Sequence, residues 1–340
     1  MVIKKMNYNF ALVGASGMVG KKLLSLLEKR ALPINNLILL GSKSAGQHIK
    51  FQGSSIEILD LASFIPENIH ITIFAAGSDP AKEYAQKFVD AGSYVIDLSS
   101  YYRYQESVPL VIPAVNESSL ASLKQPCIIA NPNCSTAQLL MVLKPIHDMF
   151  CIKNINIATY QAVSGTGEAA LAELDHQVQY NHQDHKIYPR PIAFNAIPQC
   201  DIFLENFYTK EEMKLVWETQ KILDKNIHVN ATCVRVPVRN GHSEAVFMRL
   251  NNPTTRESII ELLEGAPGVK VMDNPALLEY PTPLEQCNDT EEVFVGRIRV
   301  EEIADEYWAS MWIVADNVYG RGAALNAVEV IESLINLNKI

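Results

Sequence analysis

Residues 8–20 read Tyr8-Asn9-Phe10-Ala11-Leu12-Val13-Gly14-Ala15-Ser16-Gly17-Met18-Val19-Gly20, and their order decides the fold. Phe10 to Val13 is a short apolar run, which predicts a buried β-strand. Glycines at 14, 17 and 20 let the backbone turn, and Val19, Leu23, Leu24 and Leu27 then recur at helical spacing. Strand, glycine turn and helix in this order form the head of a βαβ unit. Its bare backbone admits a pyrophosphate, and the helix N-terminus supplies N–H donors and a favourable dipole. Gly14, Ala15, Ser16, Gly17, Met18 and Val19 are therefore candidate dinucleotide contacts. The spacing is GxxGxxG rather than GxGxxG, so the structural context carries this reading more than the bare pattern does.

Outward from the turn, apolar strands alternate with helical patterns up to about Ala130: strands at Leu37 to Leu40, Ile71 to Ala75 and Tyr94 to Leu98, and a helix near Pro80 to Ala91. Such alternation predicts a doubly wound, Rossmann-like parallel sheet. Past Cys134 the order changes to strand-like INIATYQAV, a polar Gln- and His-rich stretch from Asp175 to Lys186, the helical EEMKLVWETQKIL, and the strands HVNATCVRVPV and EAVFMRL. The expected fold is α/β, with a second, α+β substrate and dimerisation domain. We place the domains at 1–133 and 134–316, with residues 317–340 packing back on the first through the amphipathic segment Ala323 to Leu337.

A chain of 340 residues, 48% hydrophobic and 20% charged, has ample material for two cores. Its formal net charge of -9 argues against a nucleic-acid surface and gives no attraction to anionic lipid. The six cysteines are scattered without a CxxC pair, so neither a zinc site nor a disulfide framework is indicated, and a reducing cytoplasm fits. The N-terminal MVIKKMNYNFALVGASG lacks the continuous apolar core of a signal peptide, and no apolar run is long enough to span a bilayer. His176, His182 and His185 lie in polar surroundings without a matching ligand set, so no metal site is expected.

Asn131-Pro132-Asn133-Cys134-Ser135-Thr136 places a cysteine between a turn and an apolar helical run, Ala137 to Leu143, which Lys144-Pro145 is expected to stop. A thiol in the first turn of a helix meets unpaired N–H groups and the positive dipole end, both of which favour the reactive thiolate. A lone cysteine is more commonly a buried structural thiol; the surrounding motifs reverse that reading here. The second strand ends Leu39-Leu40-Gly41-Ser42-Lys43-Ser44-Ala45-Gly46, without the carboxylate that binds the ribose of NAD. Ser42, Lys43 and Ser44 suit a 2′-phosphate, so NADP is the expected cofactor.

Together, GASGMVG, NPNCST, TYQAVSGTG, EEMKLVWETQKI, CVRVPVRNGHSEAV and DNVYGRGAALNAVEV closely resemble the bacterial aspartate-β-semialdehyde dehydrogenase family, over almost the whole chain. The resemblance implies reversible conversion of L-aspartate-4-semialdehyde, phosphate and NADP to L-4-aspartyl phosphate and NADPH, on the route to lysine, methionine, threonine and diaminopimelate. It implies homodimers or tetramers as well, of which a homodimer is expected. By matching position Cys134 is the nucleophile, His242 the acid/base group with a pKa near neutrality, and Gln161 the residue that positions the reacting group.

Strand alternation sends Val234, Val236 and Val238 to one face and Arg235 to the other, where an arginine can be merely solvated. The resemblance makes Arg235 the clamp of the substrate α-carboxylate. Thr209 and Glu212 read as a capping box, which leaves Glu211 the freer carboxylate. The resemblance sets Glu211 on the substrate amino group and Lys214, Arg103 and Asn133 on phosphate. It adds Gly77, Ser164, Gly165 and Asn317 to the cofactor contacts.

Departures from the family pattern are a short GSKSAG loop with Lys43 in place of arginine, Asp97 and Ala114 where Asn and Glu are usual, and an extra residue in DNVYGRG. Two other readings are weighed. An N-acetyl-glutamyl-phosphate reductase-like enzyme would have no ammonium group for Glu211 to bind. A non-catalytic NADPH-binding paralogue has no need of Cys134, Gln161, Arg235 and His242 together.

Overall fold

The computed structural model describes residues 7–181 and 184–340. His182 and residues 1–6 of the N-terminal stretch lie outside the described residues. The chain forms two units, Met1–Pro132 with Ala323–Ile340, and Asn133–Gly322.

In the first unit, β1 (Tyr8–Val13), β2 (Ile34–Gly41), β3 (His48–Phe51), β4 (Ser54–Asp60), β5 (Ile71–Phe74), β6 (Tyr94–Asp97) and β7 (Ile128–Ala130) form one sheet. Their order is β3-β4-β2-β1-β5-β6-β7. Neighbours are parallel except β3 and β4. The central strands read as apolar runs because both faces are covered: Phe10 to Val13 and Ile71 to Phe74 are fully buried. The helix Met18–Lys29 packs against the closing helix Ala324–Asn336, and Ser78–Asp90 packs on β5 and β6. The sequence left the β3–β4 hairpin unassigned. Its two-residue turn, Gln52-Gly53, has φ of +47° and +77°, a geometry usually announced by Asn-Gly rather than Gln-Gly.

The strand order reverses beside β1, which lies between β2 and β5, so the carboxyl ends of these strands flank a crevice of the kind that binds ligands. Gly14 turns the chain there at φ +91°, and a Cβ on it would fall 2.8 Å from the Ala75 carbonyl carbon. Only glycine fits.

The second unit carries β8 (Ile152–Gln161), β9 (His228–Arg235), β10 (His242–Leu250), β11 (Val269–Val271), β12 (Val293–Ile303) and β13 (Glu306–Ala315). Their order is β11-β12-β13-β10-β8-β9. β8 pairs parallel with β9 and antiparallel with β10. The helix Cys134–Phe150 lies against β8, β10, β12 and β13, and Lys210–Ile222 lies against β9.

Two expectations need correction. The helix that begins at Cys134 does not stop at Lys144-Pro145 but runs through Pro145 to Phe150. Burial of Ile146 and Phe150 in the core outweighs the hydrogen bond that proline forfeits. The polar stretch from Asp175, given no secondary structure from the sequence, is helical up to Tyr180, and buried Gln177 on it accepts the Ile192 and Ala193 N–H groups at 2.9 Å each. The returning segment begins at Ala323 rather than at residue 317. Asn317 stays with the second unit, where its Oδ1 accepts the Gly241 N–H at 2.9 Å.

Candidate active site

Asn133 caps the helix Cys134–Phe150: its Oδ1 accepts the N–H groups of Ser135 at 3.0 Å and Thr136 at 3.4 Å. This puts Cys134 at the first helical position, half-buried. The capping oxygen engages two of the first-turn amides that the sequence left open to the thiolate. The Asn133 amide Nδ2 donates to Glu211 Oε1 at 3.0 Å, and its backbone N–H donates to Glu218 Oε2 at 2.6 Å.

Three side chains share one rung of the second sheet. Gln161 ends β8 and pairs with Arg235, which ends β9. Ser243 lies opposite Tyr160, so His242 at the start of β10 comes level with Gln161. All three point to the buried face, with exposures of 1, 7 and 0% in the order Gln161, Arg235 and His242. The inward side of β9 carries Val229, Ala231, Cys233 and Arg235, so Arg235 is not on a solvated face, and Val234 is on the outer side. Gln161 Nε2 bridges the Ser135 hydroxyl at 3.0 Å and Glu211 Oε1 at 2.9 Å. Gln161 Oε1 and His242 Nε2 are buried without a hydrogen-bond partner among the described residues.

His242 Nδ1 accepts the Ala162 N–H at 3.0 Å, so the neutral ring carries its hydrogen on Nε2. Burial and then the Arg235 charge push its pKa down to about 3, which corrects the expected value near neutrality. Arg235 Nη1 donates to the Ala162 carbonyl at 2.6 Å, and the guanidinium lies 5.9 Å from the Tyr188 ring centroid. Gly165 leaves open a space that a side chain would close: a Cβ there would lie 3.1 Å from Arg235 Nη1 and 3.2 Å from His242 Nε2.

The capping box of Thr209 and Glu212 is present, and Glu212 Oε1 also takes the Cys233 N–H at 3.0 Å. Glu211 is buried rather than loosely held. Lys214 Nζ reaches its Oε2 at 2.7 Å and Asp201 Oδ2 at 3.0 Å. Burial alone would raise the Glu211 pKa, but the Lys214 ion pair and the amide donors outweigh it and bring it to about 2. The same contacts hold the Lys214 pKa above its ordinary value against burial.

The other candidates fall into two groups. Ser164 Oγ lies 3.1 Å from Asn317 Oδ1, and Ser164 and Gly165 share the short helix Val163–Thr166. In the first unit, Gly14 to Val19 form the turn and helix start, Gly77 at φ +89° caps Ser78–Asp90, and Ser42 and Lys43 are exposed past β2 with Ser44 half-buried. A bare turn opening a helix fits a dinucleotide pyrophosphate. Arg103 is buried there, its Nη2 donating to the Leu98 carbonyl at 3.0 Å. Among the described residues no group of three or more His, Cys, Asp or Glu could hold a metal ion, and no helix is long and apolar enough to cross a membrane.

The sequence reading missed Glu218, Ser135, Gln138 and Glu244. Ser135 stood in the quoted motif, and period-two alternation already set Glu244 on the face of His242. Glu218 had no signal beyond its place in the helix.

Two family models match the chain: the NAD binding domain of semialdehyde dehydrogenase over residues 9–123 and its dimerisation domain over residues 143–319. With the site above, they define a two-domain oxidoreductase of the semialdehyde dehydrogenase class. The aspartate-semialdehyde dehydrogenases of Legionella pneumophila and Bacillus subtilis are 47% and 40% identical to it, covering 96% and 97% of this chain and 95% and 98% of theirs. Aspartate semialdehyde dehydrogenase II of Vibrio cholerae, in a crystal structure complexed with ASA, superposes with a TM-score of 0.93 at 41% identity, covering 97% of this chain and 99% of that one. The Candida albicans enzyme, in a structure with NADP, has a TM-score of 0.76 at 25% identity, covering 98% and 100%. The chain belongs to the aspartate-semialdehyde dehydrogenase family.

Proposed function

We propose that the chain is the phosphorylating, NADP-dependent form of this enzyme, converting L-aspartate-4-semialdehyde and phosphate reversibly to L-4-aspartyl phosphate through a thioester on Cys134. The observation that best supports this is the Gln161 bridge. One amide ties the residue beside Cys134 to Glu211, and the same rung carries Arg235 and His242. Arg235 would hold the substrate α-carboxylate and Glu211 its ammonium. The buried acidic Oε1 of Glu211 favours this substrate over an N-acetylated one, which has no charge for it to bind.

In this reading the Cys134 thiolate forms a bond to the aldehyde carbon, and the carbonyl π pair moves onto oxygen. His242 Nε2–H donates to that alkoxide, so a neutral imidazole stabilises the developing charge. Gly14 to Val19 would hold the pyrophosphate of a bound dinucleotide, whose nicotinamide would supply the hydride acceptor that oxidation of this carbon requires. A phosphate oxygen then bonds to the thioester carbon and the Cys134 thiolate departs. In the reverse direction the same Nε2–H steadies the alkoxide until its electron pair re-forms the carbonyl and the Cys134 thiolate departs. Lys214, Arg103 and Asn133 would hold phosphate, Lys43 with Ser42 and Ser44 the 2′-phosphate of NADP, and Gly77, Ser164, Gly165 and Asn317 other parts of the cofactor.

We expect a cytoplasmic homodimer in lysine, methionine, threonine and diaminopimelate synthesis. The outer face of the second sheet, with Phe247 45% and Tyr160 38% exposed, suits a second copy. The test is phosphate-dependent NADPH formation from L-aspartate-4-semialdehyde. Its absence would overturn the reading.

A further inference from the structure

Glu244 lies two residues along β10 from His242, on the same inner face, and is fully buried. Register sets it opposite Thr159 on β8 and Ile313 on β13, and Thr159 faces Cys233 on β9. This rung runs directly below the one that carries His242, Gln161 and Arg235. Its hydrogen bonds do not balance. Both carboxyl oxygens of Glu244 and the Gln138 Oε1 are buried without a partner, as is the Thr159 hydroxyl. An ionised Glu244 would add two more acceptors to a pocket already short of donors. Among the described residues no cation offsets its burial; the Gln138 side chain favours the charged form, but burial outweighs it.

Thr159, Cys233 and Ile313 bring no charge from the neighbouring strands, and His242 on its own strand is itself neutral. An unpaired buried carboxylate is far costlier than the neutral acid, which brings one O–H donor. Burial accordingly pushes the Glu244 pKa well above the carboxylate range. Gln138, on the helix that begins at Cys134, donates its Nε2 to the His242 carbonyl at 3.4 Å. His242 is thus held twice, by Ala162 on its ring and by Gln138 on its main chain.

We propose that Glu244 is a positioning residue for His242: a neutral acid in the folded enzyme, it donates to Gln138 and so fixes the amide that anchors the His242 backbone. This rests on His242 acting at the reacting oxygen. The chain it describes links the rung below the site to the aim of Nε2 without touching substrate, so its loss would slow chemistry while leaving substrate binding as it is.

The test compares Glu244→Gln and Glu244→Leu in the full chain. Glutamine keeps a neutral donor of the same shape, so kcat, KM and the pH profile should match wild type. Leucine removes the donor at similar volume, and kcat should fall on the order of ten- to a hundredfold with KM for the semialdehyde unchanged. Difference infrared spectroscopy at pH 8 should show a protonated-carboxyl band in wild type that Glu244→Gln lacks. Absence of such a band, or a Glu244→Gln variant as impaired as Glu244→Leu, would show that the ionised form is needed and overturn the proposal. So would a folded Glu244→Leu with full kcat. If His242→Asn turns over normally, the role given to His242 falls, and the positioning role with it, whereas the infrared band reports the protonation of Glu244 independently.

Discussion

Replacing Glu211 by glutamine keeps the acceptor that Asn133 and Gln161 share and removes the charge opposite Lys214. Its folded pKa of about 2 lies below the ordinary 4.5, a difference of roughly two and a half units, or about 3 kcal/mol of stability. Because the folded value is depressed, this contribution is fully present above about pH 4.5 and is lost as pH falls toward about 2. The side chain is buried, so solvent does not screen the pair. Denaturant unfolding of Glu211→Gln at pH 7 should therefore show a loss of about 3 kcal/mol, and the gap to wild type should narrow by about 1.4 kcal/mol per pH unit below 4.5. Turnover should fall selectively for aldehydes bearing a free ammonium. A gap of the same size at pH 7 and pH 3.5 would refute the ion-pair account, and equal loss of turnover with an amine-free aldehyde would refute the substrate contact.

Cys134→Ser should abolish turnover while leaving the far-UV spectrum and cofactor binding near wild type, because a serine hydroxyl is hardly ionised at neutral pH; residual wild-type rates would exclude the thioester. Arg235→Lys keeps the charge but loses the two-pronged fork, so steady-state kinetics should show a lower kcat/KM, with a smaller loss for an aldehyde that lacks the α-carboxylate. Lys43→Ala should raise KM for NADP and leave that for NAD nearly unchanged; a variant that weakens both alike would place this exposed lysine away from the ribose.

The first sheet was legible because its central strands are fully buried and its first turn is marked by glycine. Hairpin β3–β4 was not, since Gln52 gives no sign of its positive φ and the strands are partly exposed. In the second unit, motifs named the rung of Gln161, Arg235 and His242, yet strand alternation alone left Arg235 free to be a solvated cation. Only the register of β9 against β8 shows that it faces inward. The His242 pKa was out of reach for a related reason: its ordinary value near neutrality belongs to a solvated ring, whereas complete burial and the neighbouring guanidinium are tertiary facts. Pro145 shows the same limit, a local breaker overruled by a core that the sequence does not locate.

Gln161 and Arg235 are the last residues of β8 and β9, and His242 is the first of β10. All the recognised chemistry of this rung therefore sits where the ladders end, one layer thick, above rungs that are mainly apolar. Substitutions at these three positions should alter recognition or chemistry without dismantling the pairing below. Conversely, repacking of the deeper rungs can raise stability without entering the reaction, with the single exception of the layer that holds Glu244. Substitutions in this sheet should therefore be tolerated at depth and costly at the rim, and the proposed role of Glu244 would couple the two levels.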